Sequence, residues 1–453
     1  MTMPAIRDLK QKAKAKLSPL WWYTALQFAS GKAADVVNLY VGAFLIPTVL
    51  SADDLGAIVP LRMIIAYAVF PMGLLAGVAV KFLNAFHVGD DRGRVKAVLR
   101  DMAVAALAFS VAALLILWIG SDFVRLRLKL ENSAVLLWLA ATVVISCWTP
   151  IPDAAAQGLM RFRQMIVAGL IRPGAYLLLA VLLLPRFGVA GFLAATAGTA
   201  CVGAAYLAWT IREYLGPGIA PGSYREVGSE IRRYVRNAGA VLLCVALVNV
   251  VEPWTIRNFT SKMDSAGYYM AFMFGQIPLY LSSAFMPFLF PLVSARHESG
   301  ESTEALLRQS VAATLAVGIP FVILAVFCGK GLMDLRGSWR TYDAHAPFIW
   351  RIGVVSTLQG IVMAYLSHEN GCRRFGYVKL FLPALLAEAV VLYVLMGWGF
   401  FETRLPRGVW EAVERLVGSR LDFAVWVMMA ARALMAVPAL TGLTRGGSDA
   451  SGF

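Results

Sequence analysis

The chain has 453 residues, 59% hydrophobic and 15% charged, with a mean hydropathy of +0.69 and a formal net charge of +14. A soluble domain carries about 25% charged residues, so this composition excludes that class. The basic residues lie in short loops between apolar runs rather than on one polar face, which reads as membrane orientation and excludes a nucleic-acid partner.

Apolar runs of about 20 residues recur along the whole chain, each long enough to cross a hydrocarbon core of about 30 Å as a helix. They predict spans at roughly 22–49, 55–80, 98–120, 133–152, 166–184, 189–211, 238–257, 266–294, 306–327, 344–366, 377–400 and 422–441. Basic residues from Arg7 to Lys16 precede the first span, which Trp21, Trp22 and Tyr23 open as an interfacial anchor. Lys32 and Asp35 interrupt its apolar run and no small-residue cleavage site follows, so a cleaved signal peptide is not expected. The basic N-terminus, the 81–97 loop and the 212–237 loop place both termini in the cytoplasm by the positive-inside rule. Arg125-Leu126-Arg127-Leu128-Lys129, on the exterior side, runs against it. The expected location is the cytoplasmic (inner) membrane, crossed many times.

The longest polar interruption, with Gly216-Pro217-Gly218, Pro221-Gly222, Arg232, Arg233 and Arg236, falls almost midway. It divides the chain into an N-terminal six-helix lobe (1–211), a cytoplasmic linker (212–237) and a C-terminal six-helix lobe (238–453). In segment 407–420, Val409, Trp410, Val413, Leu416 and Val417 recur at helical spacing beside Arg407, Glu411, Glu414 and Arg415. That is the pattern of a helix lying on the exterior surface.

Three short patterns recur in the same order about 210 positions apart. Gly158-Leu159-Met160-Arg161-Phe162 returns as Gly371-Cys372-Arg373-Arg374-Phe375, Asp53-Asp54-Leu55-Gly56 as Asp264-Ser265-Ala266-Gly267, and Val98-Leu99-Arg100 as Leu306-Leu307-Arg308. Six spans per half is an even number, so a duplicated half keeps its orientation. The expected relation is a pseudo-two-fold axis along the membrane normal, with a translocation path between the lobes.

The repeated Gly-x-x-Arg-Phe, the turn Arg186-Phe187-Gly188-Val189-Ala190-Gly191, and Ala266-Gly267-Tyr268-Tyr269 running on to Phe290-Pro291-Leu292-Val293-Ser294 resemble one family. It is the polysaccharide-biosynthesis branch of the multidrug/oligosaccharidyl-lipid/polysaccharide exporter superfamily, with lipid II flippases and MATE drug antiporters as more distant relatives. The resemblance implies an all-α integral membrane protein of about 12 transmembrane helices, in two lobes forming a V-shaped cavity that opens alternately to either side. It implies a flippase that carries a polyprenyl-diphosphate-linked oligosaccharide for polysaccharide biosynthesis or export. The partners would then be membrane lipids, that lipid-linked glycan and other polysaccharide-assembly proteins. A proton or sodium gradient would drive it, with no cofactor.

Charge inside a bilayer is costly, so an ionisable residue within a span is a functional candidate. Lys32 lies about 16 Å along span one from Trp21, near mid-bilayer, with Asp35 three residues on and on the same face. One reading is a self-neutralising pair that packs the helix. The other is a cation for an anionic headgroup beside a carboxylate that exchanges protons. Arg62, about 10 Å into span two, is a second substrate-binding candidate, against snorkelling to the headgroups. Arg172, beside Pro173 and Gly174, either contacts substrate or caps a kinked helix. Arg351, near the exterior end of span ten, completes that set, with snorkelling as its stronger reading. In span seven Pro253 frees carbonyls beside Glu252, which joins Asp35 as an ion- or proton-coupling candidate. The alternative is an ordinary kink in which Glu252 pairs with Arg257.

A diphosphate sheds water on entering a cavity and needs fixed positive charge there, which Lys supplies as a point charge and Arg as a bidentate fork. Arg161, Arg373 and Arg374, in the two Gly-x-x-Arg-Phe copies, belong to the cytoplasmic mouth. There they set topology and touch anionic lipid, or dock the diphosphate. Asp153 and Gln157 precede the first copy, and His368, Glu369 and Asn370 the second. No Gly-rich phosphate loop and no clustered Cys and His are present, so neither ATP hydrolysis nor a metal site is expected. No catalytic residue is assigned. The alternatives are a MATE-like cation-coupled antiporter of organic cations, whose site would need acidic and aromatic residues to dominate, and a membrane enzyme of glycan assembly, for which the exterior loops are short.

Overall fold

The computed structural model describes residues 29–130, 133–215, 251–283, 300–334, 337–372, 376–396 and 419–442, with isolated positions at 289, 292–293, 296–297 and 374. Arg373, the surface helix expected from Arg407 and most of the 212–237 linker lie outside the described residues. The regular structure among the described residues is helical. In a bilayer the backbone has no water to bond, and a helix satisfies its own amides and carbonyls.

The helices, in chain order, are α1 (Ala29–Val49), α2 (Ala52–Val88), α3 (Arg92–Ile119), α4 (Ser121–Arg127), α5 (Ala134–Trp148), α6 (Pro150–Gly158) and α7 (Phe162–Thr210). After them come α8 (251–259), α9 (Lys262–Gly275), α10 (Ile277–Ser282), α11 (Glu304–Asp334), α12 (Pro347–Gly371), α13 (Val378–Met396) and α14 (Arg420–Gly442). Eight helical segments among the described residues are long and apolar enough to cross a membrane. Apolar side chains such as Trp118, Ile119 and Phe327 are 76%, 79% and 81% exposed, which suits a surface bathed in lipid rather than water. This is an all-α, multi-pass membrane protein.

Two predicted boundaries moved. Span two was expected over 55–80, but α2 runs 37 residues, because no glycine or proline stops it between Gly77 and Gly89. Spans five and six, expected as separate helices, form one helical segment broken at Gly188, whose φ of 56° and ψ of −129° suit only glycine. The chain folds back at this point. Gly191 lies against the Leu183 carbonyl, Gly198 against Leu179 and Gly203 against Arg172, so the two arms of α7 run antiparallel with glycines on one of them seating the other.

The described residues pack as two compact units. The first holds residues up to 41, 71–115 and 140–215; the second holds 42–70, 116–139 and residues 251 onward. Helices α1, α2, α3 and α5 each give one end to each unit. The core of the first unit gathers Leu83, Leu99, Ala155, Leu159, Ile211 and Tyr214. A side chain at Gly158 would begin 2.6 Å from Leu83 Cβ and 3.1 Å from the Val80 carbonyl, so this glycine lets α6 touch α2. In the second unit α12 is the central helix. Small residues bring its neighbours close: Gly318 faces Thr357, Gly275 faces Ile352, and Gly360 faces Ser282. A π-helical stretch in α1, Val41–Leu45, turns the Gly42 carbonyl to the Tyr269 hydroxyl, which donates to it at 2.8 Å.

The repeats seen as letters recur as local structure. In the Gly-x-x-Arg-Phe copies the Arg161 amide donates to the Ala156 carbonyl and the Arg374 amide to the Glu369 carbonyl, each at 2.8 Å, so both helices end in the same closing turn. Another matched pair escapes the letters: Asp91 closes on Phe86 and Glu301 on Arg296, both at 2.9 Å, with positive φ at Asp90 and Gly300. The Asp-x-x-Gly copies are capped alike, Ser51 Oγ accepting from the Asp54 amide at 3.2 Å and Ser261 Oγ from the Asp264 amide at 3.0 Å. These caps match Asp54 to Asp264, one position from the register read in the sequence.

Candidate functional site

The first unit carries a cavity of about 480 Å³ where the start of α7 meets its end. Arg161, Arg163 and Gln164 line one side, with Tyr206, Trp209, Arg212 and Glu213 on the other. The α7 hairpin makes this site, since its antiparallel arms return the chain beside the residues that open it. Arg161 is ion-paired with Glu213, and the Arg212 guanidinium lies 5.3 Å over the Trp209 ring. Three arginines against one glutamate leave a surplus of positive charge, beside two aromatic rings.

The other basic candidates in this unit are neutralised. Lys32 Nζ meets Asp35 Oδ2 at 2.5 Å, as the spacing predicts. Arg172 donates to Asp153 at 2.7 Å across the face of Gly203 rather than capping a kink, and the helix is unbroken at Pro173. Ser30 packs on Gly169, one turn from Arg172, which puts Lys32 and Arg172 on adjoining helices.

In the second unit the Glu252–Arg257 pair, one of the two readings of this kink, does not form. Glu252 instead bonds Arg432 of α14, which also donates to Glu388 Oε2 of α13 at 2.5 Å. The side chains of Arg432, Glu252 and Glu388 are 3%, 7% and 0% exposed, so the triad is deeply buried. A cavity of about 50 Å³ reaches it, lined by Glu252, Arg432, Gln276, Gln359, Ser356 and Met63 among others. Arg62, the sequence neighbour of Met63, is half-buried.

Arg257 serves elsewhere, donating to the Leu128 carbonyl at 3.1 Å and to the Asp53 carbonyl at 2.7 Å. Around it Lys129 donates to Thr260 at 3.0 Å, Arg127 to Asn258 at 3.2 Å, and Lys262 pairs with the Asp53 carboxylate. Arg127 and Lys129, in the basic run expected to break the positive-inside rule, are thus bonded to α8 and its end. Burial, reinforced by the Arg257 and Lys262 charges and opposed by Asp53, holds the Lys129 ammonium below the usual lysine range.

Arg351 pairs with Asp422 and sits 5.2–5.7 Å from the rings of Phe348, Trp350 and Trp426. The second mouth cluster turns inward. His368 is buried, facing Glu369 at 3.1 Å and Thr303 at 3.0 Å, and Asn370 accepts from Tyr377. Arg374 is exposed.

Solved structures share this architecture. An inward-facing multidrug resistance MATE family transporter of the MOP superfamily superposes with a TM-score of 0.65 at 12% identity, covering 92% of this chain and 94% of that one. The lipid II flippase MurJ, in an inward closed conformation, gives 0.62 at 10% identity over 93% and 87%. A MOP superfamily transporter from Pyrococcus furiosus, with a binding pocket of reversed polarity, gives 0.60 at 13% identity over 93% of each chain. The chain has the fold of these transporters. No protein-family model and no curated protein matches the sequence.

Glu388 and Arg432 were not among the residues singled out from the sequence. Both stand inside predicted spans, 377–400 and 422–441, and so carry the signal that marked Lys32: an ionisable group in an apolar run. Their partners lie 44 and 180 positions away, beyond any argument from local spacing.

Proposed function

We propose that this chain is a non-enzymatic flippase that moves a polyprenyl-diphosphate-linked oligosaccharide across the cytoplasmic membrane by alternating access of two six-helix lobes. The observation that carries this reading is the arginine-lined cavity of the first unit. Its surplus positive charge suits an anionic headgroup, and guanidinium forks bind diphosphate oxygens in pairs. Its aromatic rings suit a sugar face. From there the headgroup passes to Lys32 and Arg172, each of which exchanges its carboxylate partner, Asp35 or Asp153, for the diphosphate. Arg62, in the second unit, is a further candidate contact for the diphosphate. Arg351, already held by Asp422 and three rings, acts as an anchor of its helix.

The shared fold also supports the reading of an organic-cation antiporter, since a MATE transporter superposes as well as the flippase does. The surplus positive charge of the cavity supports the anion reading over the cation one. The test is headgroup translocation of a labelled polyprenyl-diphosphate sugar in proteoliposomes. Wild-type transport that falls at least tenfold in Arg163→Ala/Arg212→Ala supports the proposal, tenfold being about 1.4 kcal/mol, less than one charge-assisted bond. Transport of organic cations and of no lipid-linked sugar would replace it with the antiporter.

A further inference from the structure

The two carboxylates around Arg432 pose a problem of charge. With both ionised the triad carries a net negative charge in a buried, membrane-embedded interior, where an uncompensated ion costs several kcal/mol. Its geometry points to a different state. Glu252 Oε1 and Glu388 Oε2 accept from the two Nη atoms of the one Arg432 guanidinium, so two acids crowd a single cation, and a proton held between them removes the excess negative charge. Glu388 Oε1 is buried with no donor among the described residues, a poor place for a full negative charge and a tolerable one for a neutral acid. Arg432 is the fixed member, bonded to both acids and rooted in α14.

We propose that Glu252 and Glu388 share one exchangeable proton beside the Arg432 guanidinium, making this triad the proton-binding site of the second unit. The cavity of about 50 Å³ that reaches Glu252 and Arg432 is the route of exchange, and its Gln276, Gln359 and Ser356 supply polar partners for water along it. On release, one carboxylic O–H breaks, the proton passes to cavity water, and the second carboxylate becomes an ionic acceptor for Arg432. No other reactant is needed.

Other titratable and charged groups stand on the surrounding helices. Tyr268 of α9 is buried, has no hydrogen-bond partner among the described residues, and interacts electrostatically with Glu252 and Arg432. Arg257 of α8 is bonded to carbonyls, Arg351 of α12 to Asp422 of α14, and Arg62 lies on α2 beside the cavity-lining Met63. On α13, Lys379 and Tyr393 lie at least five residues from Glu388. Tyr268, Arg257 and Arg351 are not hydrogen-bonded to the two acids among the described residues. A role for this proton in driving transport rests on the transporter reading above; its presence does not.

The test is infrared spectroscopy of the purified full-length protein titrated from neutral to alkaline pH, with glutamate carrying a ¹³C carboxyl label. The expected result is a protonated-carboxyl carbonyl band at neutral pH that shifts with the label and disappears on titration. It should be lost in both Glu388→Gln and Glu252→Gln, because a single remaining carboxylate balances Arg432 and ionises. A wild-type spectrum without a label-sensitive protonated band overturns the proposal even if neither variant folds. So does a band that survives both substitutions. Because the readout is spectroscopic, these outcomes stand whatever the transport assay shows.

Discussion

Gly56 sits on α2 where the second unit closes around Arg257, and replacing it with alanine tests that packing. A methyl group there would lie 2.6 Å from Ser265 Oγ, 2.7 Å from Arg257 Nη1 and 2.9 Å from Ser265 Cβ, closer than real Cβ contacts come. Neither neighbour is free to retreat. Ser265 Oγ donates to the Gly56 carbonyl at 3.2 Å, and Arg257 is fully buried and tied to the Asp53 and Leu128 carbonyls. Relief therefore loosens a neutral bond, worth about 0.5–1.5 kcal/mol, and a charged one, worth about 1.5–3 kcal/mol. The gain in helix propensity returns about 1 kcal/mol. The expected net loss is about 1–3 kcal/mol, in the usual range for overpacking. The assay is thermal unfolding of the purified protein in detergent, with Gly73→Ala as the control, since nothing lies within 4 Å of a methyl group at that position of the same helix. Gly73→Ala should be neutral or slightly stabilising. If Gly56→Ala unfolds with it, the packing around Arg257 is not as described.

Three further outcomes are expected. Arg432→Leu strands two buried carboxyl groups and should cost about 3–5 kcal/mol in the same assay, while adding Glu252→Gln and Glu388→Gln should recover much of the loss, because a neutral trio leaves no buried charge. Gly203→Ala pushes Arg172 off its seat and should lower lipid-linked sugar transport and thermal stability together, whereas Asp153→Asn, which frees Arg172 without moving it, should separate the two readouts. The folded state holds the Lys129 proton less tightly than the unfolded chain, so the penalty is fully present below the lowered folded-state value and fades as pH rises through it toward the unfolded one. Lys129→Gln should therefore raise the unfolding temperature at neutral pH, with the advantage shrinking on the alkaline side.

The helices were legible because apolar length is a strong signal, and so was the turn at Gly188, where Pro185, Arg186 and two glycines interrupt two apolar runs. The far ends of α2 were not, since helix continues into polar sequence until something stops it. Lys32 and Asp35 were correctly placed together because three positions is one neighbour step on a helix. The Glu252–Arg257 pairing fails on the same rule, as five positions carries a side chain to another face. Glu252 joins Glu388 and Arg432 through the folding of α8, α13 and α14 against each other, information that lives in the tertiary structure alone. The arginine cavity was half visible: Arg161 stood in a motif, while Arg212 comes to it only through the reversal of α7.

The Asp-x-x-Gly copies do more than resemble each other, because Ser265 of the second donates to Gly56 of the first. A motif that touches its own copy is what a symmetric dimer would present at its axis, here within one chain. A single chain is under no obligation to be symmetric, and this junction is not. Lys262 meets Asp53 on one side, whereas by the matched caps the reciprocal positions hold Ala52 and Met263. The seam is ionic where Lys262 meets Asp53, and the reciprocal positions can form no ion pair, so salt should weaken it on that one side.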